Sequence, residues 1–294
     1  MRQYPHLFAK LFASPLMLHT PARQAFETAL LARMRGDISP HQEAIGSAGR
    51  VSADWLEWER MKKATEPLVR QEMIYTRHGN VALIKLHGAI DKSLTMMEMQ
   101  CYGAVDLDDV DSALSLAAGD KRVDTIVLDM NSPGGSTVGV KETAQRIAQL
   151  TKEKEVHAYI SGMCCSAAYY LASQTDLIAA GESAIVGSVG VYIALLDASR
   201  WYTDEGLNMQ VLKAGEMKTM GADWRPITEQ ERAHLQGSVD RCYAEFRQAV
   251  TAHREVAQST MEGQWMDCGT GHELKLVDAL TTATLDDYVG DLIC

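Results

Sequence analysis

From Val81 onward the sequence repeats one pattern: a short apolar run, a turn of small residues, then a helical stretch. "VALIKLHGAI" opens as a β-type run and breaks at Gly88. "VDTIVLDM", Val123 to Met130, is almost continuously apolar and leads straight into "NSPGGSTVGV" and a helical stretch from about Lys141 to Leu150. "VHAYISG" reads as the next strand, "CSAAYYLASQ" as a helix starting at Ser166, "DLIAAG" as a strand, and "SAIVGSVGVY" as a strand region broken by glycines. Runs this apolar belong to strands covered on both faces, and strands alternating with helices join parallel neighbours by crossovers. The expected fold class is α/β, with stacked crossover β-α units around a buried, largely parallel sheet.

The chain has 294 residues, long enough for one large domain or two modest ones, and its 46% apolar content suffices for a core without staples. Two parts are expected: an N-terminal helical extension over 1–75 and a main domain over 76–294. In the extension, Thr20 and Pro21 make a cap and first turn for "TPARQAFETALLARM", with Gly36 as its end. "SADWLEWERMKKA" sets Trp55, Trp58 and Met61 on a packing face. Beyond the sheet, Thr228 and Glu231 form a capping box. It opens one long helix with Leu235, Val239, Tyr243, Phe246 and Val250 at three- to four-residue steps.

The balance of 28 basic against 39 acidic residues, net −11, argues against an electrostatic grip on nucleic acid or anionic lipid and favours a polypeptide partner. No window approaches the roughly 18 apolar residues that span a bilayer, and the N-terminus reads as neither signal peptide nor anchor. The six cysteines lack repeated C-x-x-C spacing, which fits a reducing compartment, and the histidines lack zinc spacing. No metal and no cofactor are expected.

Two strand-to-helix turns are candidates for chemistry. At Asn131 to Gly135, paired glycines let the backbone approach a ligand with its amides, although Pro-Gly-Gly is also an ordinary turn. At Ser166 a hydroxyl lies where a strand stops and a helix begins, a position that suits a nucleophile and an N-cap equally. Cys164 and Cys165 sit in apolar surroundings and read as small buried hydrophobes. A nucleophilic serine needs a base, and neither His157 nor His234 is placed for a triad. "VLKAGEMKTMGADWRPIT" offers Lys213 and Lys218 instead. A lysine serves as general base only when its surroundings bring its pKa from about 10.4 towards neutrality; otherwise these are two solvated surface lysines.

Taken in order, "VLDMNSPGGS", "ISGMCCSAAYYLAS", "IVGSVGVY", "AGEMKTMG" and "RPITEQERAHLQ" resemble the signal peptide peptidase A family of serine proteases. The resemblance runs over roughly Val81 to Asp278. The preface "LFASPLMLHTPARQAFETALLARM" is similar to that of the phage branch, the head maturation proteases acting on capsid and scaffold proteins. The resemblance implies a fold shared with the caseinolytic protease and the crotonases, and a Ser-Lys dyad of Ser166 as nucleophile and Lys218 as base. Ser188 would orient the lysine, Gly135 and Ala167 would supply oxyanion-hole amides, and Gly134, Gly187 and Val189 would line the substrate. Where relatives have Gly-Gly after the nucleophile this chain has Ala167 and Ala168, and Lys275 replaces a usual glycine before "LVD".

Also implied are protein substrates, a homo-oligomeric ring or dome, and residence in the host cytoplasm within an assembling phage procapsid. The alternatives are a cellular signal peptide peptidase, an inactive assembly factor of the same fold, and an acyl-thioester enzyme of the crotonase type. The last would need carboxylates near Ser166, where the sequence has none.

Overall fold

The computed structural model describes residues 16–18, 70–72, 74–95, 98–99 and 103–293. The helices expected from Thr20 and around Trp55, Trp58 and Met61 lie outside the described residues. In chain order the strands are β1 (Leu16–Leu18), β2 (Tyr75–His78), β3 (Val81–His87), β4 (Ala89–Asp91), β5 (Ala104–Asp106), β6 (Thr125–Ser132), β7 (Gly134–Ser136), β8 (Glu155–Cys165), β9 (Leu177–Ala180), β10 (Ile185–Gly187), β11 (Trp265–Asp267) and β12 (Ala279–Leu280). The helices are α1 (Leu107–Gly119), α2 (Val140–Leu150), α3 (Ala167–Ala172), α4 (Ser199–Asp204), α5 (Glu229–His253), α6 (Cys268–Glu273) and α7 (Leu285–Leu292).

The main sheet runs β11-β10-β8-β6-β3-β2, with β9 pairing β8 and β12 pairing β9. Its centre is parallel, β3 with β6, β6 with β8, and β8 with β9 and β10; β2 and β11 close the two ends antiparallel. The continuous apolar runs are explained by burial on both faces. Because side chains alternate along a strand, Ala82, Ile84 and Leu86 pack with Ile126, Leu128, Met130, Ala158 and Ile160 under α1, α2, α3 and α5. The other parity, Val81, Leu83, Val127, Tyr159 and Ala179, packs under Val289 of α7. Each fully buried Ile or Leu contributes about 1.5–3 kcal/mol, so both covers are needed. The α/β fold class and its crossover units are as the sequence predicts.

A second sheet, β1-β7-β4-β5, stands beside the first, and the sequence pattern does not foretell it. Its strands are three residues long, and Gly134–Ser136, which reads as a turn, is one of them. Glycine is required there by close approach: a Cβ on Gly135 would lie 1.8 Å from the Ile90 carbonyl oxygen, and Gly134 has φ +94°.

The long helix begins where expected, with the Thr228–Glu231 capping box formed in both directions. Its apolar stripe is covered only in part. Phe246 and Val250 are buried, with Phe246 stacked on Tyr170 of α3 at 4.8 Å, whereas Leu235 and Val239 remain half-buried.

Candidate active site

The site is positioned by three strand ends lying side by side. Ser132 of β6 is opposite Cys164 of β8, and Cys165 is opposite Gly187 of β10. Strands in register are about 4.8 Å apart, so the residues just beyond these ends gather at one edge of the sheet: Gly134 and Gly135, Ser166 and Ala167, Ser188 and Val189. This is the carboxyl end of parallel strands, where open α/β sheets place their ligands. β7 and α3 pack against each other, which puts the glycine strand next to the helix that Ser166 opens.

Ser166 is 1% exposed and has φ 57°, ψ −118°. That backbone region suits glycine; a side chain there costs about 1–3 kcal/mol and persists only where the surroundings enforce it. Here the Ser166 amide donates to the Gly187 carbonyl at 2.8 Å, its carbonyl accepts from Tyr170 at 2.9 Å, and the flanking Cys165 and Ala167 are wholly buried. The serine makes no side-chain cap bond to α3, and an N-cap has extended backbone angles. The capping alternative is therefore set aside: the hydroxyl donates to the Gly190 carbonyl at a long 3.4 Å. The first three amides of α3 have no intrahelical acceptor, as at any helix start.

Ser188 shares this strain, with φ 54°. Its amide donates to the Gln264 carbonyl at 2.6 Å, and Gly187 before it, at φ +112°, is so close that a Cβ would lie 2.8 Å from the same oxygen. Two buried serines in glycine-type conformations thus stand at one sheet edge, and Val189 is buried beside them.

Cys164 and Cys165 are fully buried, as expected of small hydrophobes. Burial pushes the Cys164 thiol well above its ordinary range and the Cys165 thiol up to about 12. Neither forms a thiolate at neutral pH.

Lys218 belongs to the segment that follows α4. It lies in the 3-10 turn Glu216–Thr219, exposed, with its backbone amide donating to the Gly215 carbonyl at 3.2 Å. Among the described residues no hydrogen bond joins it to Ser166 or Ser188. Lys213 is engaged elsewhere, donating to the Glu216 carbonyl at 2.9 Å. The stretch leading to this turn leaves Leu207, Met209, Val211 and Leu212 exposed.

Sequence reasoning missed the brace behind that turn. Arg225 donates to the Thr219 carbonyl at 2.9 Å and to both Glu231 carboxylate oxygens, at 2.5 and 2.9 Å. Glu231 also accepts from the Thr228 amide at 3.0 Å. The lysine's neighbour is thereby tied to the capping box of α5. An arginine six residues before the box's glutamate is the only signal in the sequence.

A strained, buried serine thus stands between a glycine-rich strand and a second strained loop. Residues 148–288 of the chain match peptidase family S49. Its relatives include capsid assembly protease C of Escherichia phage lambda, 27% identical over 253 residues, covering 86% of this chain and 57% of the relative. The head-tail preconnector protein GP5 of Enterobacteria phage P21 is 25% identical over 289 residues, covering 96% and 56%. The chloroplastic serine protease SPPA of Arabidopsis thaliana is 26% identical over 165 residues, covering 54% and 24%. The chain spans about half the length of the two phage relatives. Among solved structures, an enoyl-CoA hydratase from Shewanella pealeana is similar at TM-score 0.41 and 13% identity, covering 77% of this chain and 74% of that one. Among the described residues no helix is long and apolar enough to cross a membrane.

Proposed function

We propose that the chain is a serine endopeptidase that works through an acyl-enzyme, with Ser166 as nucleophile and Lys218 as general base. The observation that carries this reading is the buried Ser166 at φ 57°, ψ −118°, free of any capping role, inside the stretch that matches peptidase family S49. In the proposed reaction the uncharged Lys218 amine takes the Ser166 proton as the serine oxygen attacks the scissile carbonyl. The amides of Gly135 and Ala167 hold the oxyanion, each worth about 10² to 10³ in rate. Lys218 then passes its proton to the leaving amine, and water releases the acyl group by the reverse sequence. Ser188 directs the lysine, while Gly134, Gly187 and Val189 line the bound strand.

Since Lys218 is exposed in the single chain, the dyad requires the segment that carries it to be covered. A homo-oligomer supplies that cover: a second copy packing on Leu207, Met209, Val211 and Leu212 removes water from both the apolar side chains and the amine. Desolvation disfavours the charged lysine and so produces the base.

The substrates are taken to be scaffold and capsid polypeptides in an assembling phage head. This role is favoured over that of a cellular signal peptide peptidase because the similarity to the phage proteins covers 86% and 96% of the chain, against 54% for the chloroplastic protease. The test is co-expression with the neighbouring scaffold and capsid chains. Cleavage should occur with the unaltered protein and stop in Ser166→Ala and in Lys218→Ala while the assembly persists. Normal processing in either variant rules the dyad out.

A further inference from the structure

A strand has two edges, and both edges of β7 are taken. On one side Gly135 pairs in parallel with Ile90 of β4. On the other β1 runs antiparallel, with Leu16 opposite Ser136, Met17 opposite Gly135 and Leu18 opposite Gly134. The β4 side is fixed, because Gly135 approaches Ile90 so closely that no Cβ fits. The β1 side is therefore the edge where a further strand can add.

A peptide bound extended for hydrolysis joins a sheet edge through its backbone. The strand β7 packs against α3, the helix that Ser166 opens. Leu16–Leu18 lies along one edge of β7 in the antiparallel sense. We propose that Leu16–Leu18 is a built-in, substrate-like occupant of the β7 edge, held in cis, which excludes peptide substrates until it is displaced. This rests on reading Gly134–Ser136 as the substrate-binding strand of the proposed peptidase.

Two features suit an occupant that exchanges. The pairing is three residues long, and short edge strands open at a small fraction of the global unfolding cost. The occupant's sequence, Leu-Met-Leu, holds no proline, so its backbone can pair as a substrate's would. Substrates that compete should be extended, apolar and free of proline across the three paired positions.

The test uses the full chain carrying Ser166→Ala and, as probe, a fluorescent peptide of residues 12–21. Met17→Pro and Leu18→Pro are made separately, because successive amides face opposite edges and one of the two must remove a bond to β7. A tethered strand competes at an effective concentration of about 1 mM. One proline variant should therefore bind the probe about tenfold more tightly than the Ser166→Ala chain, and amide exchange at Gly134–Ser136 should quicken in the same variant. In the chain without proline, saturating probe should strip exchange protection from residues 16–18, a reading that does not depend on how the variants fold. Equal probe affinity in all three chains, with protection at 16–18 unmoved by probe, overturns the proposal. The same substitutions with Ser166 retained separate the two claims. Tight probe binding in a chain that hydrolyses nothing keeps the occupant and removes the peptidase, whereas an active chain indifferent to either proline removes the occupant alone.

Discussion

Replacing Ser166 by glycine should stabilise the protein relative to replacing it by alanine, the reverse of the usual order. At φ 57°, ψ −118° any residue with a Cβ carries strain of about 1–3 kcal/mol, and Ser166→Ala keeps all of it. Ser166→Gly releases it but gains chain entropy in the unfolded state, a penalty of about 0.4–1 kcal/mol. Both variants lose the same weak bond to the Gly190 carbonyl. The difference between them is strain released less entropy, about 0.5–2 kcal/mol in favour of glycine. Urea unfolding reads it as a higher midpoint at unchanged slope, and for a domain of this size a melting temperature higher by about 2–4 °C per kcal/mol. Both variants should be equally dead as peptidases. If Ser166→Gly unfolds more easily than Ser166→Ala, the backbone there is not strained and the reasoning from geometry to nucleophile fails.

Lys275 occupies the left-handed position after α6, with φ 67°, and the amides of Lys275 and Leu276 donate back to His272 and Gly271 in the pattern that favours glycine. Lys275→Gly should raise stability by about 1 kcal/mol in urea unfolding. The Arg225 guanidinium, helped by the Thr228 amide, holds Glu231 down to about 2 from an ordinary 4.5. A depressed carboxylate stabilises the fold above its unfolded pKa, and the benefit is lost as pH falls from about 4.5 towards 2. Stability measured against pH should therefore decline less steeply across that window in Glu231→Gln. Cys164 and Cys165 should resist iodoacetamide at pH 8 in the native protein and react after unfolding, as intact-mass measurement will show, because burial holds their thiols protonated.

The parts of the fold written in long periodic segments are legible in the sequence. The apolar runs from Val81 to Ala180 give the parallel strands, and Thr228 with Glu231 marks the start of α5 to the residue. The second sheet is not legible, because strands of three residues carry no periodicity and Gly134–Gly135 has the composition of a turn. The stripe on α5 misleads for a related reason: spacing shows which residues share a face but not how far the partner extends, and cover is complete only at Phe246 and Val250. At the site, Ser166 can be placed from its junction between strand and helix, but its choice between cap and nucleophile cannot. Composition does not encode φ, and it is the positive φ at Ser166 that sets the capping role aside. The exposure of Lys218 is equally hidden, since a spacing along the chain does not say whether a turn is covered.

The most direct test of the dyad is mass spectrometry of the assembled protein after exposure to a fluorophosphonate, which phosphonylates an activated serine. The account predicts one adduct, on the peptide that contains Ser166, formed rapidly by the unaltered chain and lost in Lys218→Met. An adduct on a different residue, or one that forms at Ser166 equally fast without Lys218, would contradict it.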